Sequence, residues 1–131
     1  MGEFIKQIGT EDFTLEQLKQ YRYSEIDNRT GQLIDNGFSF AGNTFSLSQN
    51  AQINILALDV SRNDAAIIYP IEYNTLTDDV IVLVPDATTV HNMYLTALGT
   101  KKAVLDSGTV LKNQIRAAVD KAAVNAIIDN R

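Results

Sequence analysis

The chain has 131 residues, of which 45% are hydrophobic and 21% charged, a composition typical of a globular rather than a disordered protein. It contains no cysteine, which excludes a disulfide framework, a thiolate metal site and a cysteine nucleophile. The formal net charge is -5 and the Lys and Arg residues are scattered, which argues against nucleic-acid binding. No apolar stretch reaches the roughly 18–20 residues needed to cross a bilayer, so we expect no membrane insertion.

The first helix is predicted from its start and stop signals. Residues 1–13 show no clear periodicity and are interpreted as an N-terminal arm. Thr14 and Gln17 have the spacing of a capping box, in which each residue satisfies a backbone amide of the other. Gly37 suits the left-handed conformation that closes a helix. The sequence therefore predicts a helix over residues 15–35.

A phenylalanine-rich hairpin is predicted next. Phe38 and Phe40 alternate with small or polar residues, and so do Phe45 and Leu47. Gly42-Asn43 between them suits a two-residue turn. With that turn, Phe40 is expected opposite Phe45 and Phe38 opposite Leu47. All four large side chains then fall on one face of the ribbon.

A second helix follows the hairpin directly. It is capped either by Ser46 together with Gln49 or by Ser48 alone. Apolar residues between positions 51 and 60 cover a wide stripe, so the helix is expected to be buried over much of its circumference. A turn-prone cluster that begins at Ser61 ends it.

A second hairpin is predicted from two segments rich in β-branched and aromatic residues, 66–73 and 79–84, with the turn at residues 74–78. Pro70 has no amide hydrogen to donate, so its strand is expected at an edge or to be bulged. The run at residues 80–84 is apolar on both faces. It should be covered on both sides, by this chain or by another.

The last predicted element is a C-terminal helix over residues 87–128, capped by Asp86. Gly99 and Gly108 each cost about 1 kcal/mol relative to alanine inside a helix. Two interpretations stay open at this stage. The helix is either continuous, or bent or broken near residues 99–108.

The final segment offers candidate contact residues. Four apolar positions near its end alternate steps of four and three, which is the spacing of a coiled-coil seam. This face either packs within its own domain or associates with a partner, and two tyrosines at the predicted sheet edge are a second candidate surface. The candidate partner-binding residues are Tyr69, Tyr73, Leu111, Ile115, Ala118 and Ala122.

Residues with catalytic potential are few. His91 is the one histidine, it lies early in the last helix, and no nucleophile turn lies near it in the sequence. Asp78-Asp79 lies at a turn, where acidic residues are favoured by turn geometry alone. The sequence has no phosphate loop and no dinucleotide fingerprint. We therefore expect no enzyme activity and no catalytic, cofactor-binding or metal-binding residue.

These elements give an α+β fold: helix, β-hairpin, helix, second β-hairpin and long C-terminal helix, in a single domain over residues 14–131. The segment from Ile26 to Phe40 reads IDNRTGQLIDNGFSF, and GNTFSLS and AQIN follow it at residues 42–48 and 51–54. This pattern resembles an uncharacterised domain family found in bacteriophage tail-fibre and related virion proteins. The likeness covers residues 15–120 and is most specific over residues 25–55.

The resemblance implies a context for the chain rather than a mechanism. It implies a virion structural protein of the tail, baseplate, fibre or neck, made in the host cytoplasm and located in the virion. Such a protein would work through contacts with other virion proteins and as a homo-oligomer. The alternative hypothesis is a tail-fibre assembly factor or chaperone that is absent from finished particles. A small glycan-active enzyme is the third.

Overall fold

The computed structural model describes residues 12–131 and shows the predicted α+β fold with its elements in the predicted order. The predicted arm lies outside the described residues except for Asp12 and Phe13. The helices and strands are α1 (Leu15–Asp35), β1 (Phe38–Phe40), β2 (Asn43–Phe45), α2 (Gln49–Ser61), β3 (Ile71–Asn74), β4 (Ile81–Val84), α3 (Ala87–Ala117) and α4 (Lys121–Ala126). They divide into two compact units. Among the described residues, the first comprises residues 12–30 together with Asp106–Arg131, and the second comprises Gly31–Leu105.

The capping box at the start of α1 is confirmed. The amide of Thr14 donates to Gln17 Oε1 at 3.0 Å, and the amide of Gln17 donates to Thr14 Oγ1 at 3.2 Å. The helix ends at Asp35 as predicted, and the amide of Gly37 then donates to the carbonyl of Ile34 at 2.9 Å. The local signals in the sequence therefore match both ends of α1.

The first unit is built around four buried side chains, Leu18, Ile26, Ile115 and Val124. They come from α1, α3 and α4, so one core joins segments that are far apart in sequence. Partly buried side chains surround this core, among them Phe13, Leu15, Tyr23, Leu111, Ala118 and Ile127. Burying a large aliphatic side chain contributes about 1.5–3 kcal/mol, so this small core depends on each of its members.

The guanidinium of Arg131 lies in the same unit and is largely enclosed, with 13% of its side chain exposed. Its Nη1 donates to Thr30 Oγ1 at 2.8 Å and to Ser107 Oγ at 3.1 Å. Its Nη2 donates to the carbonyl of Ile26 at 3.0 Å and to Asp129 Oδ2 at 2.8 Å. A second bond runs from Nε to Asp129 Oδ1 at 2.9 Å. This one side chain therefore binds α1, α3 and Asp129 through charge-assisted hydrogen bonds.

Helix α3 is continuous from Ala87 to Ala117, so, of the two interpretations that the sequence left open, a break near residues 99–108 does not occur. Gly108 lies inside the helix for a packing reason. A Cβ atom at Gly108 would lie 2.8 Å from Thr30 Oγ1 and 3.1 Å from Arg131 Nη1, so the absence of a side chain makes room for the Arg131 cluster.

The predicted C-terminal helix over residues 87–128 is instead divided into two helices at residues 118–120. Asp120 has extended backbone angles, φ -149° and ψ 172°, and its side chain accepts from the amide of Ala123. Asp120 is therefore the N-cap of a new helix, α4, and that cap interrupts the helical run.

The first hairpin belongs to the second unit. It buries the predicted face, but its strands pair in a different register from the predicted one. Phe38 pairs with Phe45 and Phe40 pairs with Asn43, so the predicted pairing of Phe40 with Phe45 is wrong. The two loop residues are Ala41 and Gly42, with φ of 49° and 81°. A two-residue turn with positive φ at both positions matches the twist of a hairpin, and here glycine takes the second position. Phe38 and Phe45 nevertheless share the buried face, as predicted.

Helix α2 and the second hairpin complete this unit. Ser48 is the N-cap of α2, and its side chain accepts from the amide of Ala51, which confirms one of the two predicted caps. Strands β3 and β4 form an antiparallel pair, and Pro70 lies just before β3 rather than inside it. The core of the unit consists of Phe38, Phe45, Leu47, Ile55, Val84, Val90, Met93 and Ala97.

The close approach at Gly108 gives a testable prediction. Replacing Gly108→Ala should lower the free energy of unfolding by about 1–3 kcal/mol, because the new methyl group displaces Thr30 and the Arg131 guanidinium. The matched control is Gly99→Ala in the same helix, where nothing lies within 4 Å of an added Cβ. This control should raise the free energy by about 0.5–1 kcal/mol through helix propensity. Urea denaturation measures both, and equal stabilisation by the two substitutions would contradict the packing role of Gly108.

A second prediction concerns acid. Hydrogen bonds from Arg131 hold the pKa of the Asp129 carboxyl below its ordinary value. Because the pKa of this carboxyl is lower in the folded state than in the unfolded state, its charge stabilises the folded protein at pH values above the unfolded-state pKa. This stabilisation is lost as the pH falls through the folded-state pKa. Asp129→Asn should therefore lower the free energy of unfolding by about 1 kcal/mol at pH 7.

The difference between wild type and Asp129→Asn should shrink as the pH falls through about 4 and below, where unfolded-state aspartates become protonated. Denaturant titrations from pH 7 to pH 3 measure this difference. The control is Asp27→Asn, which removes an exposed ion pair with Lys112 in the same unit and should cost less than about 0.5 kcal/mol. A difference at Asp129 that stays constant with pH would show that its charge is not the stabilising feature.

Candidate interaction surface

The tyrosines predicted as contact residues lie half-buried on the core of the second unit. Tyr69 donates its hydroxyl hydrogen to the carbonyl of Arg62 at 2.8 Å. Tyr73 packs edge-on against Phe45, with ring centroids 5.5 Å apart. Burial raises the pKa of the Tyr73 hydroxyl. The structure therefore places both rings at the margin of a core, where one edge of each contacts the chain itself.

The predicted seam on the final segment lies in the first unit. Ile115 is completely buried, and Leu111 and Ala118 pack around the same core. Ala122, on α4, is exposed. Three of the four seam positions thus contact the interior of their own unit, and Ile115 has no accessible surface for a partner.

A polar cluster in the second unit was missed by the sequence analysis. Asp59 on α2 is 7% exposed, and one of its carboxylate oxygens lies 2.8 Å from His91 Nδ1 and 3.3 Å from Arg62 Nη1. The signal in the sequence is an acidic residue between Leu58 and Val60 in an otherwise apolar helical run, which requires a buried partner.

The contacts of this cluster join two helices. Within the described part of the chain, Asp59 is the hydrogen-bond partner of His91, and no hydroxyl group bonds to the imidazole. The cluster therefore fastens α2 to the first turns of α3. Among residues 12–131 no group of three or more His, Cys, Asp or Glu side chains is placed to hold a metal ion.

An apolar groove runs between α2 and α3 of the second unit. It has a volume of about 260 Å³ and is bordered by Ile53, Leu56 and Leu98, which are 57%, 46% and 50% exposed. Lys101 lies at the groove and contacts Gln52 Oε1 through its Nζ at 2.5 Å. Large aliphatic side chains grouped in this way on a surface are typical of a protein contact.

On the outer face of the second hairpin, the exposed side chains of β4 are apolar and those of β3 are polar. Leu83 lies opposite Glu72 and Ile81 lies opposite Asn74, and all four side chains are exposed. Leu83 and Ile81 are 59% and 57% exposed. The other face of β4 packs on the core through Val82 and Val84. Of the two sides that the sequence predicted to be covered, the described chain covers one.

Exposed carboxylates lie at both ends of β4. Asp79 accepts hydrogen bonds from Thr77 Oγ1 at 2.6 Å and Thr75 Oγ1 at 2.9 Å, and these lower its pKa. Asp86 accepts from the side chain and the amide of Thr89 at 2.7 and 2.8 Å, which lowers its pKa too. Both carboxylates are therefore negatively charged at neutral pH.

In the described residues no helix is both long enough and apolar enough to span a membrane.

A search of curated proteins found no match to the chain, and a search of solved structures found none either. Residues 14–129 match a family described as "Domain of unknown function (DUF4376)". Because the match extends from the capping residue of α1 to beyond the end of α4, the chain belongs to this family.

Proposed function

We propose that the chain is a structural component of a bacteriophage particle, in the tail, baseplate, fibre or neck, and that it acts through protein–protein contacts. The observation that carries the contact role is the groove between α2 and α3, whose aliphatic border is about half exposed. An exposed apolar surface of this kind has a free-energy cost in water that a partner removes.

The polar clusters support the same proposal. The carboxylate of Asp59 is occupied by His91 and Arg62, and the guanidinium of Arg131 is occupied by Asp129, Thr30 and other groups. Each cluster joins elements within its own unit, as expected of a protein whose parts must keep their shape when they contact a partner. The proposal therefore includes no catalytic step.

The virion context rests on the resemblance of residues 25–55 to phage proteins. In that context the partners are other virion proteins and further copies of the same chain, and the site of action is the particle, after synthesis in the host cytoplasm. The groove suits association between copies, because closed symmetric oligomers use apolar patches of this sort.

Quantitative mass spectrometry of purified particles of the phage that encodes the chain tests the virion role. The chain should be present at a fixed number of copies per particle, and it should stay in the particles through a wash at high salt. If it is found in infected cells but not in washed particles, the virion role is wrong and the assembly-factor hypothesis replaces it.

Light scattering after size exclusion tests the groove as the self-association surface. Leu98→Glu should weaken association at least about tenfold, because a charge would replace a side chain that contributes about 1.5–3 kcal/mol on burial. Ala103→Glu places the same charge at an exposed position of α3 that does not line the groove, and it should have little effect. A wild-type chain that remains a monomer at high concentration would contradict self-association.

A further inference from the structure

In the part of the chain that the structure describes, strand β4 has an unpartnered edge and an uncovered apolar face. Within the described residues β4 pairs with β3 alone, in a sheet of two strands. Val80, Ile81 and Leu83 are 46%, 57% and 59% exposed. An edge strand of this composition carries unpaired backbone groups beside apolar side chains, and it readily accepts a further strand.

The charged residues that flank this strand in the sequence, and the one beside it on β3, are all acidic. Asp78 and Asp79 precede β4, Asp86 follows it, and Glu72 lies beside it on β3, and all four are exposed. Residues 63–100 contain no Lys or Arg. The apolar face is therefore bounded at both of its ends by carboxylates with no cation from the surrounding sequence.

We propose that β4 binds an extended segment of a partner protein, as an added strand, and that this segment has apolar residues at its centre and Lys or Arg at both ends. The central side chains would pack beside Ile81 and Leu83, and the backbone of the segment would pair with the free edge. The terminal cations would meet Asp78-Asp79 at one end and Asp86 at the other.

A second copy of the chain fits this strand less well than a basic segment. Two β4 strands paired antiparallel would bring Asp78-Asp79 of one copy beside Asp86 of the other. Like charges placed opposite each other across two strands are destabilising. Charge complementarity therefore favours a basic partner for β4. This inference goes beyond the general contact role proposed above, because it specifies the chemistry of one partner.

A peptide titration followed by amide chemical shifts of the isotope-labelled full chain tests the inference. The probe is the peptide Lys-Lys-Val-Thr-Val-Thr-Val-Lys-Lys with blocked ends, and the matched control has Glu in place of each Lys. The Lys peptide should shift the amides of residues 80–84 in a saturable way. Raising the salt from about 50 to about 300 mM should weaken its binding several-fold, because exposed charges are screened.

Three variants test whether the peptide binds at β4. Leu83→Lys should weaken binding at least about tenfold, since it places a cation on the apolar face. Asp78→Asn keeps a residue that tolerates the left-handed backbone at this position, φ 57°, and should weaken binding about twofold to threefold by removing one charge. Val60→Lys introduces the same cation as Leu83→Lys at a side chain on α2 that is 76% exposed, and it should leave binding unchanged.

The outcomes separate clearly. Saturable shifts at residues 80–84 with the Lys peptide alone, lost in Leu83→Lys and kept in Val60→Lys, support the inference. Equal binding of the Lys and Glu peptides, shifts confined to other parts of the chain, or no shift at all would overturn it. Signals of β4 that change with protein concentration and without peptide would make a second copy the occupant, and that also overturns it. The titration uses no phage particles, so its failure is distinct from the absence of the chain from washed virions.

Discussion

The Arg131 guanidinium sets the constraint on which the packing of the first unit depends. It donates hydrogen bonds to the side chains of Thr30 and Ser107, to the carbonyl of Ile26 and to both carboxylate oxygens of Asp129. A nearly enclosed cation is tolerable only when its donors are satisfied, so α1 and α3 must approach within the reach of one side chain. Gly108 is what allows that approach, because any side chain there would occupy the space of Thr30 Oγ1. A neighbouring contact has the same character, since Arg22 donates to the carbonyls of Val124 and Ile127.

This constraint also explains what could and could not be predicted from the sequence. The caps at Thr14, Ser48 and Asp86 were predictable because each bond joins residues three positions apart. Gly108 left a break in the helix open as an interpretation, because its reason for being glycine lies on another helix. The hydrogen bond from Arg131 to Thr30 joins residues 101 positions apart, and no local sequence pattern indicates it. The same holds for Asp59 and His91, which are 32 positions apart.

The hairpins show a second limit of local patterns. Alternation identifies which residues share a face, and it placed Phe38 and Phe45 together on the buried side. It does not fix the register, because a shift of two residues preserves every face. The loop decides instead, and Gly42 suits the second loop position rather than the first. For β4 the pattern predicted the strand and also its surroundings. Apolar residues on both of its faces indicated two covering surfaces, of which the described chain supplies one.

The second unit consequently presents two apolar surfaces that differ in charge. The groove between α2 and α3 has Lys101 beside it, whereas β4 lies among Glu72, Asp79 and Asp86. Partners are selected by the charges at the rim of a contact more than by its apolar centre, since aliphatic groups discriminate poorly. Two surfaces of similar hydrophobicity but opposite local charge would therefore bind different partners without competing. The proposed role in a particle would use this property, because such a component would contact its own copies and unlike neighbours at the same time.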